Sequence, residues 1–135
     1  MPKSLSLLTL ALSAAVVVGS FAFAQDSEEK QEAAKPKHTI KEVMEQALKG
    51  NKLNKKVLSG DASEKEKLEL LDLFVSLVEN KAPKGDQASW QKFSGSAALA
   101  AAKVAVGRED ALKELKTATN CAKCHKEHKP PAKEE

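Results

Sequence analysis

What this sequence lacks narrows it first. In 135 residues it has no tyrosine, one tryptophan (Trp90), one arginine (Arg108) and two cysteines. Lysine supplies nearly all the positive charge, and acids are interspersed among the lysines, which describes a solvated mixed surface and not a nucleic-acid footprint. No stretch alternates with period two and no hairpin signal lies between apolar runs, so strands are not expected. There is no Gly-rich phosphate loop, no second cluster of acids and bases on one face and no spare cysteine nucleophile, so an enzyme is not expected. Internal repeats are absent as well.

What is present begins with residues 1–24, which read as a secretory signal peptide. Lys3 gives the positive start, residues 5–23 are uncharged and mostly apolar, and Ala22-Phe23-Ala24 forms a small-x-small cleavage site. The other reading is a retained anchor, against which Gly19, the serines and the cleavage site argue. No other segment is apolar enough to span a bilayer. The expected product is exported, or periplasmic, and runs from Gln25 to Glu135. Taking Lys3 from the 22 basic residues leaves 21 against 19 acids, a net charge of +2. That is too little to steer a partner over long range, although a local ring of lysines remains able to guide docking. Residues 25–37, with charges, alanines and Pro36, read as a disordered tether. Residues 38–135 read as one domain with one core.

Within that domain apolar residues recur at helical spacing. Ile40, Val43, Met44, Ala47 and Leu48 form a first stripe, interrupted at Gly50-Asn51 and continued briefly by Leu53, Val57 and Leu58. Ser63 to Glu66 is a capping box that opens a second helix. Its stripe (Leu68, Leu71, Phe74, Val75, Val78) is widened by Leu70, Leu73 and Leu77, so it is expected to be covered on more than one side. After a loop containing Pro83 and Gly85, Asp86 caps a third helix carrying Trp90, Phe93, Ala97, Ala100 and Val104, which ends at Gly107. A fourth is expected to run unbroken from about Arg108 to Lys129, stopped by Pro130-Pro131. Alanine, leucine, lysine and glutamate favour helix throughout. Four helices with short loops predict an all-α, antiparallel four-helix bundle.

The chemistry is concentrated in Cys121-Ala122-Lys123-Cys124-His125. C-x-x-C-H in an exported protein reads as the attachment site of one c-type haem. The two thiols add across two vinyl groups to give thioethers, and the imidazole beside the second cysteine offers a nitrogen to the iron. On a helix, positions 121, 124 and 125 share one face. Two other readings stay open: a redox-active dithiol, which calls for a βαβ context, and a zinc or copper site that adds His128. With both cysteines on a haem no disulfide remains, and stability rests on helix packing and the cofactor.

An exported helical bundle with a single C-x-x-C-H near its C-terminus resembles the cytochrome c′ and cytochrome c-556 family. The resemblance covers roughly residues 38–129 and is carried by Cys121, Cys124 and His125 together with Ile40-Lys41-Glu42-Val43-Met44. It implies covalent haem c held near the C-terminus, redox protein partners, and a first helix crossing the distal side of the haem with Met44 over the iron. Family members often form homodimers through their first two helices, but a shared fold does not carry an interface with it. The family tends to carry an aromatic and then a basic residue just after the motif. Here those places hold His128 and Lys129, a departure at the first.

After signal removal Met44 is the only methionine. As a soft thioether ligand it favours ferrous iron and raises the potential, which describes a low-spin electron carrier held by His125 and Met44. If it only packs over the ring, the protein is a five-coordinate haem protein that binds nitric oxide or carbon monoxide. His38, at the frayed start of the first helix, is expected to be solvated. His128 cannot reach the far face of the same haem and is expected at the surface or against a propionate, as Lys129 is. Trp90 and Phe93 are expected in the core or against the haem.

Overall fold

The computed structural model describes residues 35–50 and 52–131. The signal peptide expected at 1–24, and all but the last three residues of the tether, lie outside them. Every regular element among the described residues is helical: α1 (Ile40–Val43), which passes directly into a π-helical turn (Met44–Leu48), α2 (Leu53–Leu58), α3 (Glu64–Glu79), α4 (Gln87–Ala105), α5 (Ala111–Ala118) and α6 (Cys121–His128). None of these helices is long and apolar enough to cross a membrane.

Local sequence accounts for the starts. Thr39 and Glu42 form a capping box at α1, the Glu42 Oε2 accepting from Thr39 N–H at 2.7 Å. Ser63 and Glu66 do the same at α3, at 2.9 Å. Asp86 Oδ2 accepts from Ser89 N–H at 2.8 Å and starts α4. Each cap satisfies amides that the first helical turn leaves without partners and is worth about 1 kcal/mol. After α4, Val106 caps the last turn and Gly107 turns the chain at φ +69°.

Packing then places the elements. Trp90, in the first turn of α4, donates its indole N–H to the carbonyls of Leu77 (3.1 Å) and Asn80 (2.9 Å) at the end of α3. The two long helices therefore run antiparallel. The Lys103–Glu114 pair (2.6 Å) joins the end of α4 to α5. The first arm lies against α3 in the opposite sense: Asn80 donates to the His38 carbonyl at 2.9 Å near one end of α3, and Lys56 pairs with Glu66 at 2.6 Å near the other. The exposed ion pairs fix register more than stability.

The core fills the space these helices enclose. Leu70, Leu73, Phe74 and Leu77 of α3 meet Trp90, Ala97, Ala100, Ala101 and Val104 of α4, with Val43, Ala47, Val57, Ala111 and Leu115 closing it. Alanines on the α4 side let the two axes approach closely. Each fully buried Leu or Phe contributes about 1.5–3 kcal/mol of hydrophobic stabilisation. The hydroxyls of Ser76 and Ser94, both buried, donate back to the carbonyls of Asp72 and Trp90 four residues earlier.

The wide apolar arc of α3 meets α4 on one side and α1 and α2 on another, as expected, but is not wholly covered. Leu70, Leu73, Phe74 and Leu77 are buried and Leu71 packs at the edge of the core, while Leu68 is 58 % and Val75 40 % exposed. The last helix is also not continuous, because α5 stops at Ala118 and α6 begins at Cys121. Thr119 bonds its own N–H (2.9 Å) and hydroxyl (2.8 Å) to the Leu115 carbonyl, and Asn120 turns extended, at φ −69°, ψ 102°. The start expected near Arg108 is likewise late, with Asp110 left-handed at φ 58° just before α5.

Candidate functional site

The break after α5 decides how the C-x-x-C-H motif is presented. Asn120 is the N-cap of α6, its Oδ1 accepting from Lys123 N–H at 3.3 Å. Cys121, Cys124 and His125 then occupy one face of a fresh helix start and do not continue the α5 surface. Asn54 of α2 donates to the Thr119 hydroxyl at 3.2 Å and ties the break to the first arm.

Cys121 and His125 are exposed and Cys124 is half-buried. All three line a cavity of about 270 Å³. Met44 lines the same cavity from the opposite end of the chain, with walls from Leu48, Phe74, Leu77, Phe93, Ser94, Ala97 and Ala118. The four residues singled out from the sequence thus open on one largely apolar space. A larger groove of about 620 Å³ between α4 and α5 shares Phe93, Ala118 and Asn120 with it. That groove contains no cysteine, histidine or methionine, so the smaller cavity is the candidate site.

Met44 sits where the helix widens. Lys49 N–H bonds to the Met44 carbonyl at 2.8 Å, five residues back, and closes the π-helical turn. Such turns are rare and cluster at functional sites. Around this turn Val43 and Ala47 are fully buried, while Met44 and Leu48 are half-buried at the cavity wall. The Lys49 cap is extended and Gly50 takes φ +73°, so the turn ends abruptly.

Burial pushes the Cys124 thiol above its usual range, and the carboxylate of Glu127 and the sulfur of Cys121 push the same way. A dithiol catalyst depends on a lowered thiol pKa, so this environment does not favour one. The two cysteines are free thiols.

The remaining histidines are elsewhere. His128 is neither at the surface nor in the cavity; it is 2 % exposed. Its Nδ1 lies 2.8 Å from the Lys84 carbonyl oxygen and its Nε2 3.2 Å from Ser89 Oγ, and its ring meets Trp90 and Phe93 edge-on. Its nitrogens face the chain itself, the Lys84 carbonyl and the Ser89 hydroxyl, and not the surface. His38 is not freely solvated, since its Nε2 lies 3.3 Å from Asp72 Oδ2, beside the Lys37–Asp72 pair. Lys129 is exposed, Trp90 is buried in the core, and Phe93 is half-buried on the cavity wall. Among the described residues, no three His, Cys, Asp or Glu side chains converge as a non-haem metal site requires. A haem asks for only one imidazole and a second axial donor, so that observation does not bear on it.

Sequence reading did not single out Leu48, Ser94, Ala97 or Asn120 for the site. Asn120 was the detectable one: an asparagine directly before the motif is a favoured N-cap residue. No family model, curated protein or solved structure matches the chain.

Proposed function

We propose that the protein is an exported monohaem c-type cytochrome that carries single electrons between redox partner proteins. Its helices form an antiparallel four-helix bundle whose first arm is α1, the π turn and α2, and whose last arm is α5 with α6. One observation carries the reading: Met44 and the Cys121, Cys124 and His125 triad line one apolar cavity. Nothing in local sequence requires residues from opposite ends of the domain to meet there.

The donor set fits a c-type haem. Two free thiols a helical turn apart supply the thioether sulfurs, and exposed His125 presents a nitrogen beside them. The cavity alone falls just below the range of about 300–1,000 Å³ typical for sites of drug-sized ligands. A haem needs more room, and the adjoining groove, which shares Phe93, Ala118 and Asn120, adds it. Bound there, the haem supplies one-electron chemistry at iron. Cys121 and Cys124 would fix its position along α6, and His125 would supply an imidazole nitrogen to the iron. Met44 would supply the second donor, whose soft sulfur favours the reduced state. Phe74, Leu77 and Ala97 keep water from that side and lower the local polarity, a second lever on potential.

The test is covalent attachment. The chain is expressed in cells competent for cytochrome c maturation, and the intact protein is weighed. One haem per chain is expected on the wild type and none on the Cys121→Ala, Cys124→Ala double variant. A wild-type protein of unmodified mass, purified from such cells with ample haem, would overturn the reading.

A further inference from the structure

The short helix that carries the motif has little to hold it. Of the eight residues of α6 only His128 is buried and only Cys124 is half-buried; the other six are exposed. An isolated helix of this length does not persist in water, so its position is set by what grips it. At its N-terminus that grip is the Asn120 cap. At its C-terminus it is His128, which reaches across more than forty residues of sequence to the loop between α3 and α4.

That grip has four parts. A carbonyl oxygen only accepts, so Nδ1–H donates to Lys84 O at 2.8 Å. Ser89 Oγ lies between His128 Nε2, at 3.2 Å, and Glu127 Oε2, at 2.6 Å, to which its hydroxyl donates. The ring stands edge-on to Trp90, centroid separation 5.4 Å, and to Phe93, 5.8 Å. Gly85 lets the loop come this close, since a Cβ there would lie 3.2 Å from Glu127 O and 3.3 Å from His128 Nδ1. Cys121, Cys124, His125 and His128 share one face of α6, so fixing the last residue fixes the direction of the other three.

We propose that His128 is a positioning residue: it clamps α6 to the α3–α4 loop and sets the angle at which Cys124 and His125 meet the cavity. Phe93 transmits the same contact, touching His128 with one edge while lining the cavity. This inference rests on the haem reading for its consequence at the iron, but the clamp exists in the protein without haem.

The experiment compares wild type with His128→Phe, His128→Asn and Val57→Ala in the full chain. Phenylalanine keeps a ring against Trp90 and Phe93 and removes both nitrogens. Asparagine restores a donor for Lys84 O, and Val57→Ala weakens the core far from α6. In haem-free protein, amide hydrogen exchange in the second turn of α6 should quicken about tenfold in His128→Phe, with α3 and α4 changed less than about twofold. Asparagine should recover part of that protection. In haem-loaded protein, reduced His128→Phe should show a high-spin fraction and take up carbon monoxide faster than wild type, while Val57→Ala keeps the wild-type spectrum. Unchanged α6 exchange in His128→Phe, or matching spectral shifts in His128→Phe and Val57→Ala, would overturn the proposal. Wild type without covalent haem would instead overturn the cytochrome reading and the claim about His125, and the exchange result would then decide the clamp alone.

Discussion

Gly85→Ala and Gly60→Ala form a matched pair that tests where α6 lies. Both glycines are left-handed, at φ +79° and φ +83°. Either substitution forces an L side chain into that region at about 1–2 kcal/mol. At Gly60 nothing lies within 4 Å of the new Cβ, so this is the whole cost. At Gly85 the Cβ meets Glu127 O at 3.2 Å and the His128 ring at 3.3 Å. Neither neighbour is a loose side-chain tip: one is helix backbone and the other is held by its bond to Lys84 O and by the Trp90 and Phe93 rings. Relieving the contact requires α6 or the loop to shift, which adds about 1–3 kcal/mol, as overpacking usually does. Gly85→Ala should therefore cost about 2–5 kcal/mol against about 1–2 kcal/mol for Gly60→Ala. Urea unfolding followed by far-ultraviolet circular dichroism reads the difference directly. In a domain of this size it corresponds to roughly 4–8 °C in Tm per kcal/mol. Equal losses in the two variants would mean that α6 does not rest on the α3–α4 loop.

Three further outcomes are expected. Met44→Ala in haem-loaded protein should turn a low-spin spectrum high-spin, admit carbon monoxide and lower the potential, at a stability cost of about 1–2 kcal/mol for a half-buried side chain; an unchanged ferrous spectrum would remove Met44 as a ligand. Asn120→Ala should cost about 0.5–2 kcal/mol in urea unfolding, because the first turn of α6 loses its cap. Acid should destabilise the protein as native carboxylates are titrated. Glu66 is held down from 4.5 to about 2 by Lys56 and then Ser63, Asp72 is lowered by Lys37 and then His38, and Glu42 is lowered by its bonds from Thr39. Each has a folded pKa below its unfolded one, so their contribution is complete above the unfolded value and is lost as pH falls, for Glu66 between 4.5 and about 2. The urea midpoint should fall through that window, and less steeply in Glu66→Gln.

Much of this arrangement could be read from the chain because its signals are local. The capping box at Ser63–Glu66, the Asp86 cap and the stop at Gly107 each act within one helical turn, so residue identity alone locates them. The stripe through Val43 and Ala47 and the one through Phe74 reflect burial at helical period, which repeats in sequence. What could not be read depends on neighbours far along the chain. His128 is surface or core according to whether Lys84 O and Ser89 stand beside it, and they are 44 and 39 residues away. The π turn at Met44–Leu48 has no Gly or Pro within it to announce it, although the stripe it carries keeps the expected facing. Leu68 and Val75 fit a helical stripe as well as Leu70 and Phe74 do, and only the placement of the other helices separates the exposed row from the buried one. The break at Thr119–Asn120 lies between these cases: the asparagine is a legible cap, but the alanines and lysines around it favour continuing the helix.

The most direct test of the central claim is the ultraviolet–visible spectrum of protein matured with haem, recorded oxidised, then reduced, then with carbon monoxide. With His125 and Met44 both on the iron, reduction gives a sharp split α/β pair, the oxidised form shows a weak far-red sulfur-to-iron band, and carbon monoxide changes nothing. A broad high-spin spectrum that shifts on adding carbon monoxide would contradict the Met44-ligated carrier, and the absence of a Soret band would contradict the haem itself.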